Sequence, residues 1–486
     1  MGVAFVPFYI KYLGIEAYGL VGIFAILQSS LGLLDMGMKP ALGREMARFT
    51  AGAHNAQSIR DLLRSIEVIS AIISIGIALC IWAAAAWLAS DWITSKDLPT
   101  AVVRQSFAVM GVVIALRFVE SIYISTIVGL QRQVLESMVS SGIATARGLG
   151  AVAMLAWVSP TIGAFFIWQG LISLITIPIL ALIVYREIPT APRSARFSLP
   201  AIVAIWRFAA GVMLITLLAL LLTQVDKILL SRLLPLKVFA FYALAGVLTN
   251  TLYMLTNPIS AAFYPQFTEL VTRQDTIALR RAYHQAAQLT VVVVGAAAVV
   301  LIVFADSVVH LWTANAQLTM QVAPLLKVMV LGTLVNALVG IPYQMQLAHG
   351  WTKLTIKING VAVVFLIPAI LYVVPIYGAI GAAWIWVVLN VGYLIVDIYF
   401  MHRRLIPTEK WRWYREDVAI PLIVATMTAL VCRSISPRDM SKIAEFSMLI
   451  MSSGCVVLTT LLVCPLLRAH VAKHVMAVFQ GAVAKP

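Results

Sequence analysis

Charged residues are scarce in this chain, and acidic residues are scarcer than basic ones. Of its 486 residues, 11% are charged and 62% are hydrophobic, and 20 acidic residues stand against 35 Lys and Arg. Charged residues make up about a quarter of an ordinary soluble protein, so the composition excludes that class. The apolar residues form long blocks, for example 291–304 and 361–374. Blocks that extend to about 20 residues are typical of transmembrane helices, so the sequence predicts an all-α polytopic membrane protein.

Motifs for catalysis and metal binding are also missing from the sequence. There is no Walker sequence, dinucleotide-binding glycine pattern, HExxH zinc motif or GxSxG nucleophile elbow. The four cysteines form no CxxC pair, and the histidines are scattered. The connections expected on the outer side of the membrane are too short to hold a catalytic domain. These absences favour a transporter without a cofactor or metal over an enzyme.

The net charge of +15 does not indicate nucleic-acid binding. Most Lys and Arg residues lie in the short connections between apolar blocks, and every second connection carries them, as the positive-inside rule predicts. No folded basic domain or interleaving of basic and aromatic residues is present outside the predicted spans. The pattern places the connection after the second span, the linker between the lobes and the C-terminal tail in the cytoplasm. It also implies a cytoplasmic N-terminus if the first helix is complete.

The apolar blocks predict about fourteen membrane spans, in the order six, six and two. The first block, residues 1–10, is too short to cross a bilayer at 1.5 Å of rise per residue, so the first helix is expected to be truncated. We predict an N-terminal lobe at 1–185, a cytoplasmic linker at 186–200 and a C-terminal lobe at 201–400. Residues 401–486 are predicted to hold a basic loop, two accessory spans and a short tail.

Two stretches share a pattern that suggests an internal duplication. Tyr18 opens an apolar run that ends at Pro40 and is followed by basic residues. Tyr242 opens a run of similar length that ends at Pro265, again with basic residues after it. Each run is close to the length of one membrane-spanning helix. Internal repeats of this kind are common in transporters.

Ionisable residues inside predicted spans are costly and are therefore candidates for function. Arg117 and Glu120 lie three residues apart on one face of the fourth span, where they can pair, with a structural ion pair as the alternative role. Arg147, in the fifth span, has no acidic neighbour in sequence. It needs a partner from another helix, water or an anionic ligand.

A further polar cluster interrupts the apolar sequence at the outer end of span seven, with Asp226, Lys227 and Arg232. Local pairing, gating of the outer side and binding of a coupling cation are the alternatives for this cluster. Asp35 and Asp397 lie near predicted cytoplasmic helix ends, where solvation at the membrane interface is the plainer explanation.

Several segments resemble the polysaccharide-exporter branch of the multidrug/oligosaccharidyl-lipid/polysaccharide superfamily, which includes the Wzx-type O-antigen flippases. They are YLGIEAYGL with GMKPALGREMARF, and QVDKILLSRLLPLKVFAFYALA with FYPQF. The resemblance extends over nearly the whole chain through the order of its spans. It implies two six-helix lobes around a central cavity, with two accessory helices, in the cytoplasmic (inner) membrane of a bacterium.

The resemblance also implies an activity, which is the translocation of undecaprenyl-diphosphate-linked oligosaccharide to the outer leaflet by alternating access. Arg117 and Arg147, with Glu120, would line the cavity and hold the diphosphate, and Arg44 and Arg48 would attract it at the cytoplasmic entrance. A proton or sodium gradient would drive the cycle, and a polysaccharide polymerase and a chain-length regulator are the implied protein partners. A drug or cation exporter of the same superfamily is the alternative. A membrane polymerase or glycosyltransferase would need larger outer loops.

Overall fold

The computed structural model describes residues 2–30, 37–50, 52–437 and 441–469, and within these ranges its regular elements are all helices. The chain divides into two compact units, Met1–Ala240 and Phe241–Pro486. The first unit contains α1 Gly2–Leu13, α2 Ile15–Ser29, α3 Met38–Thr50, α4 Ala56–Trp92, α5 Thr100–Gly129, α6 Gln133–Val158, α7 Ile162–Glu187 and α8 Leu199–Leu233. Then follow α9 Leu236–Thr272, α10 Thr276–Val303, α11 Ala305–Thr313, α12 Ala316–Ala348, α13 Lys353–Leu405, α14 Lys410–Ile435 and α15 Lys442–Leu462.

Ten of the described helices are long and apolar enough to cross a membrane, namely α4 to α7, α9, α10 and α12 to α15. Helix α13 counts once among them, although Gly378, with φ of +62°, separates it into two arms. The arms match the eleventh and twelfth spans, which we predict at about 358–374 and 378–400. Helices α1, α2 and α8 match predicted spans one, two and seven. The predicted all-α polytopic membrane fold is therefore confirmed.

Some predicted boundaries are wrong because neither basic residues nor proline end the helices. The basic loop predicted after span two contains helix α3, so Arg44 and Arg48 are helical. Helix α9 does not stop at Pro265 but passes through Pro258 and Pro265 to Thr272. Proline is tolerated in a membrane helix because neighbouring groups satisfy the freed backbone carbonyl.

Helix α8, which we predicted as the first span of the second lobe, belongs to the first compact unit. Its residues Ile205 and Ala209 are buried in an apolar cluster with residues of α3, α4, α5 and α7. We drew the lobe bounds 1–185 and 201–400 and the linker 186–200 from a repeated order of spans. A division into compact units does not test such a repeat. They stay a prediction.

Helices α3 and α5 approach each other through glycine. A Cβ placed on Gly129 of α5 would lie 2.8 Å from the Cα of Gly43 and 2.8 Å from the Cβ of Met46, both on α3. Nearby, the Ser125 hydroxyl donates to the Lys39 carbonyl at 2.8 Å. The bare backbone at Gly129 therefore sets the distance between these helices.

We expect Gly129→Ala to destabilise the first unit by about 1–3 kcal/mol, the usual effect of overpacking a tight contact. Gly76→Ala is the matched control, because Gly76 is exposed on α4 and an added Cβ there meets nothing within 4 Å. The control should keep or slightly raise the melting temperature, since alanine favours helix more than glycine does. Thermal unfolding of the purified proteins in detergent measures both. Equal melting temperatures would contradict the contact.

In the second unit, a buried polar cluster joins α10 to α14. His284 of α10 contacts Asp417 of α14 through Nδ1 and Glu409 through Nε2, the latter at 3.1 Å. His284 and Asp417 are both about 1% exposed. Gln288 adds a hydrogen bond from its Nε2 to Asp417 Oδ1 at 2.9 Å. We call this set the His284 cluster.

Candidate functional site

Arg117 lies among polar side chains from two other helices of the first unit. Its guanidinium donates to Gln28 Oε1 on α2 and, at 2.6 Å, to Gln169 Oε1 on α7. The ring of Phe24, also on α2, lies 4.9 Å from the guanidinium carbon. Phe24 and Gln28 are one turn apart on α2, so a single helix face supplies both contacts.

Glu120 and Arg147 form a buried ion pair between α5 and α6. The Glu120 carboxylate is 3% exposed and accepts from Arg147 Nη2 through Oε2. Arg147 Nη2 also donates to the Ser173 hydroxyl of α7 at 3.1 Å. Among the described residues, no group donates to Glu120 Oε1 or accepts from the Nε atoms of Arg117 and Arg147.

These contacts bring together the three intramembrane residues that the sequence indicated. We call Arg117, Glu120, Arg147, Gln28, Gln169 and Ser173 the arginine cluster. Its two guanidiniums and one carboxylate leave one positive charge in an apolar helix bundle, where an unbalanced charge is costly. A planar guanidinium offers paired donors that match the oxygens of a phosphate. The cluster can therefore hold an anion.

The sequence-based pairing within this cluster was wrong in one respect. The three-residue spacing allowed Arg117 to pair with Glu120, but Glu120 pairs with Arg147 across helices. The partner of Arg147 is thus a residue of another helix, which is one of the three alternatives that the sequence left open. Gln28 and Gln169 were overlooked because they carry no charge. An amide in an apolar span is nevertheless a signal, since it favours a hydrogen bond to another helix.

Arg44 and Arg48, the proposed entrance residues, lie on either side of a buried carboxylate, Glu45, within α3. Arg48 Nη1 donates to Glu45 Oε2 at 3.0 Å, and His54 Nε2 lies 2.7 Å from the same oxygen. Arg44 Nη1 lies 3.8 Å from Glu45 Oε1. The side chains of both arginines are half-exposed. Burial would raise the pKa of the Glu45 carboxyl, but the hydrogen bonds from His54 and Arg48 hold it below its usual range.

This lowered pKa predicts the pH range in which Glu45 stabilises the fold. The stabilisation is complete above the unfolded value of about 4.5 and is lost as the pH falls through the lower folded value. Glu45→Gln should therefore melt below wild type at neutral pH, and the difference should shrink toward about pH 3. Melting temperatures measured across that range test this prediction. A difference that stays constant with pH would contradict it.

The residues at the outer end of span seven lie within helix α8, which continues to Leu233. Lys227 Nζ donates to the Thr223 carbonyl at 2.7 Å, and Arg232 stacks over the Trp92 ring at 5.1 Å. Asp226 is partly buried on the same helix. The cluster does not break the helix, and its gating or ion-coupling role stays a prediction.

The structure describes only one of the two acidic residues that were expected near cytoplasmic helix ends. Asp35 lies outside the described residues. Asp397 is 5% exposed, so the expected solvation was wrong. Its Oδ2 accepts from Gln346 Nε2 at 2.8 Å within the second unit.

Comparison with known proteins now identifies the family. The sequence profile of the polysaccharide biosynthesis protein family matches residues 1–271, more than half of the chain. The chain belongs to this family. The profile of the MatE family matches residues 212–372. A search of curated proteins gave no match.

Solved structures share the fold of this polysaccharide biosynthesis protein at low identity. Lipid II flippase MurJ, in an inward-closed conformation, gives a TM-score of 0.71 at 12% identity and covers 98% of this chain and 97% of its own. An inward-facing multidrug resistance MATE family transporter of the MOP superfamily gives 0.65 at 15% identity, covering 83% and 93%. A MOP superfamily transporter from Pyrococcus furiosus gives 0.53 at 14% identity, covering 83% and 94%. The two profiles and the shared fold place the chain in the MOP superfamily, as a multi-pass membrane transporter.

Proposed function

We propose that this protein is a flippase for lipid-linked oligosaccharide, which it carries from the cytoplasmic to the outer leaflet of the bacterial inner membrane. The observation that supports this proposal is the arginine cluster, which leaves one positive charge inside an apolar unit. A lipid diphosphate is an anion that reaches such a site from within the membrane. The O-antigen type of repeat unit is the substrate class we favour.

The geometry of the arginine cluster suits a diphosphate. Arg117 is oriented by two glutamine carbonyls, and Arg147 is oriented by Glu120 and Ser173. Pre-oriented guanidiniums lose less conformational freedom on binding than free ones. Each guanidinium keeps N–H groups for phosphate oxygens, because a guanidinium carries five donors. The isoprenoid tail would remain in the bilayer throughout.

Arg44 and Arg48 would attract the headgroup on the cytoplasmic side before it reaches the arginine cluster. Glu45 neutralises part of their charge, but both arginine side chains remain half-exposed. An alternating-access cycle driven by a proton or sodium gradient would complete the transfer. A polysaccharide polymerase and a chain-length regulator would receive the product.

The test is leaflet exposure of undecaprenyl-diphosphate oligosaccharide in proteoliposomes that contain the full-length protein. We expect exposure of the sugar on the far leaflet with wild-type protein and much less with Arg117→Ala. Arg117→Lys should recover little, because one ammonium cannot reproduce the fork that contacts Gln28 and Gln169. Arg104→Ala, an exposed arginine on the same helix, is the control and should transport normally.

A drug or cation exporter is the second candidate, and the match to the MatE profile favours it. Export of a cationic dye such as rhodamine 6G by the same vesicles, without exposure of any sugar lipid, would replace the flippase proposal. The positive charge of the arginine cluster argues against a cationic substrate at that site.

A further inference from the structure

The second unit contains a small cavity outside the arginine cluster. It has a volume of about 230 Å³ and lies between α12 and the two arms of α13. Its polar lining consists of Asn336, Tyr343, Thr355, Asn359, Tyr393 and Asp397. A larger pocket of about 530 Å³ is lined by the last two turns of α9, from Tyr264 to Thr272, and by Arg273, which follows the helix. It is an open surface of the helix.

Asp397 is the residue that marks the small cavity as a binding site. Its side chain is buried, and only one of its oxygens is used, by Gln346. Among the described residues, no group donates a hydrogen bond to Oδ1. A buried carboxylate oxygen without a donor is costly, and a ligand that supplies a hydroxyl would remove this cost.

The wall around Asp397 is held in place by hydrogen bonds. Asn336 Oδ1 accepts from the Tyr253 hydroxyl at 3.1 Å, and Asn336 Nδ2 donates to Asn390 Oδ1 at 2.7 Å. Thr355 donates to Gln346 Oε1 at 3.2 Å, and Gln346 in turn holds Asp397. Such a network fixes the orientation of the cavity's polar groups before any ligand arrives.

The lining determines the chemical class of the ligand. In the part of the chain that the structure describes, no Lys or Arg lines the cavity, and Asp397 would repel phosphate, so the diphosphate does not belong there. Two tyrosine rings, two amides, a hydroxyl and a carboxylate suit a neutral ligand with many hydroxyl groups. The volume lies below the range of about 300–1,000 Å³ for drug-sized ligands, which disfavours a dye and permits one sugar ring.

We propose that this cavity binds a single sugar ring of the lipid-linked substrate, with Asp397 accepting a sugar hydroxyl and Tyr343 and Tyr393 contacting the ring. This inference rests on the proposed function. Because Asp397 lies near the predicted cytoplasmic end of span twelve, the sugar would enter the cavity from the cytoplasmic leaflet.

The experiment compares two lipids on the full-length protein in nanodiscs. One probe is undecaprenyl diphosphate, and the other carries one N-acetylglucosamine on the same diphosphate. We expect wild type to bind the sugar-bearing lipid about tenfold more tightly, the effect of one or two additional hydrogen bonds. Asp397→Ala should abolish this preference and leave the affinity for the bare lipid unchanged.

Further variants separate the two sites and control for misfolding. Tyr343→Ala should reduce the preference, whereas Tyr372→Ala, an exposed tyrosine on the same helix α13, should retain it. Arg117→Ala should weaken the binding of both lipids equally and keep the ratio of their affinities.

Failure of wild type to bind either lipid would reject the proposed flippase function. Equal binding of both lipids by wild type would reject only the sugar site. Binding of rhodamine 6G that is lost in Asp397→Ala would also overturn the sugar site and assign the cavity to a cation.

Discussion

Arg147→Ala is expected to lose both stability and transport, and a second substitution, Glu120→Gln, is expected to restore only the stability. The single change removes the partner of a carboxylate that is 3% exposed. Breaking a buried ion pair from one side costs about 3–5 kcal/mol, because the remaining charge is left uncompensated. The double variant Arg147→Ala/Glu120→Gln removes both charges and avoids that cost.

Transport should not recover in the double variant, because Arg147 is proposed to hold phosphate oxygens. The loss of a charged hydrogen bond of about 1.5–3 kcal/mol corresponds to a decrease of roughly 10- to 100-fold. Melting temperature in detergent and leaflet exposure in proteoliposomes measure the two properties separately. Normal transport by the double variant would show that Arg147 is structural only. Glu120→Gln alone leaves Arg147 without its charged partner, so it should lose stability by the same argument while keeping the guanidinium for phosphate oxygens.

His284→Ala is expected to destabilise the second unit by about 3–5 kcal/mol. The substitution leaves Asp417 and Glu409 facing each other without the imidazole between them. Asp417 is about 1% exposed and cannot be solvated by water in place of His284. At about 2 °C per kcal/mol for a large domain, the melting temperature should fall by roughly 6–10 °C.

Lys327→Ala provides the matched control for the His284 cluster, because Lys327 pairs with Asp306 at 2.8 Å within the same unit. Both side chains of that pair are more than a third exposed, so its loss should cost less than about 1 kcal/mol. Limited proteolysis near residues 405–410 should show earlier cleavage in His284→Ala, since Glu409 loses a contact there. Similar melting temperatures for the two variants would mean that burial does not strengthen the His284 cluster.

Hydropathy predicted the helices of this fold well because each span needs a long apolar run in its own sequence. Helix ends were less predictable. Pro265 reads as a stop signal, yet the surrounding helices allow α9 to continue to Thr272. Arg44 and Arg48 read as a loop, yet they extend a helix whose buried face carries Glu45. In both cases the tertiary environment outweighed the local preference.

The candidate site was predictable in its members but not in its contacts. A charge inside an apolar run can be seen in the sequence, so Arg117, Glu120 and Arg147 were found. Which helices are neighbours cannot be read from one chain, so the pairing of Glu120 with Arg147 was not predicted. The solvation predicted for Asp397 was wrong for a similar reason. Its position near a helix end does not show whether protein or water surrounds the side chain.

The glycine contact between α3 and α5 has a mechanical consequence. Where Gly129 meets Gly43, the two helices touch through backbone, which has no side-chain rotamers with which to absorb a displacement. The Ser125–Lys39 hydrogen bond adds a second point of attachment between them. Helices α3 and α5 should therefore move together as one rigid body. The half-exposed arginines of α3 and Arg117 of α5 would then keep a fixed spacing, so that the proposed headgroup would meet the same separation between its cationic contacts in every state.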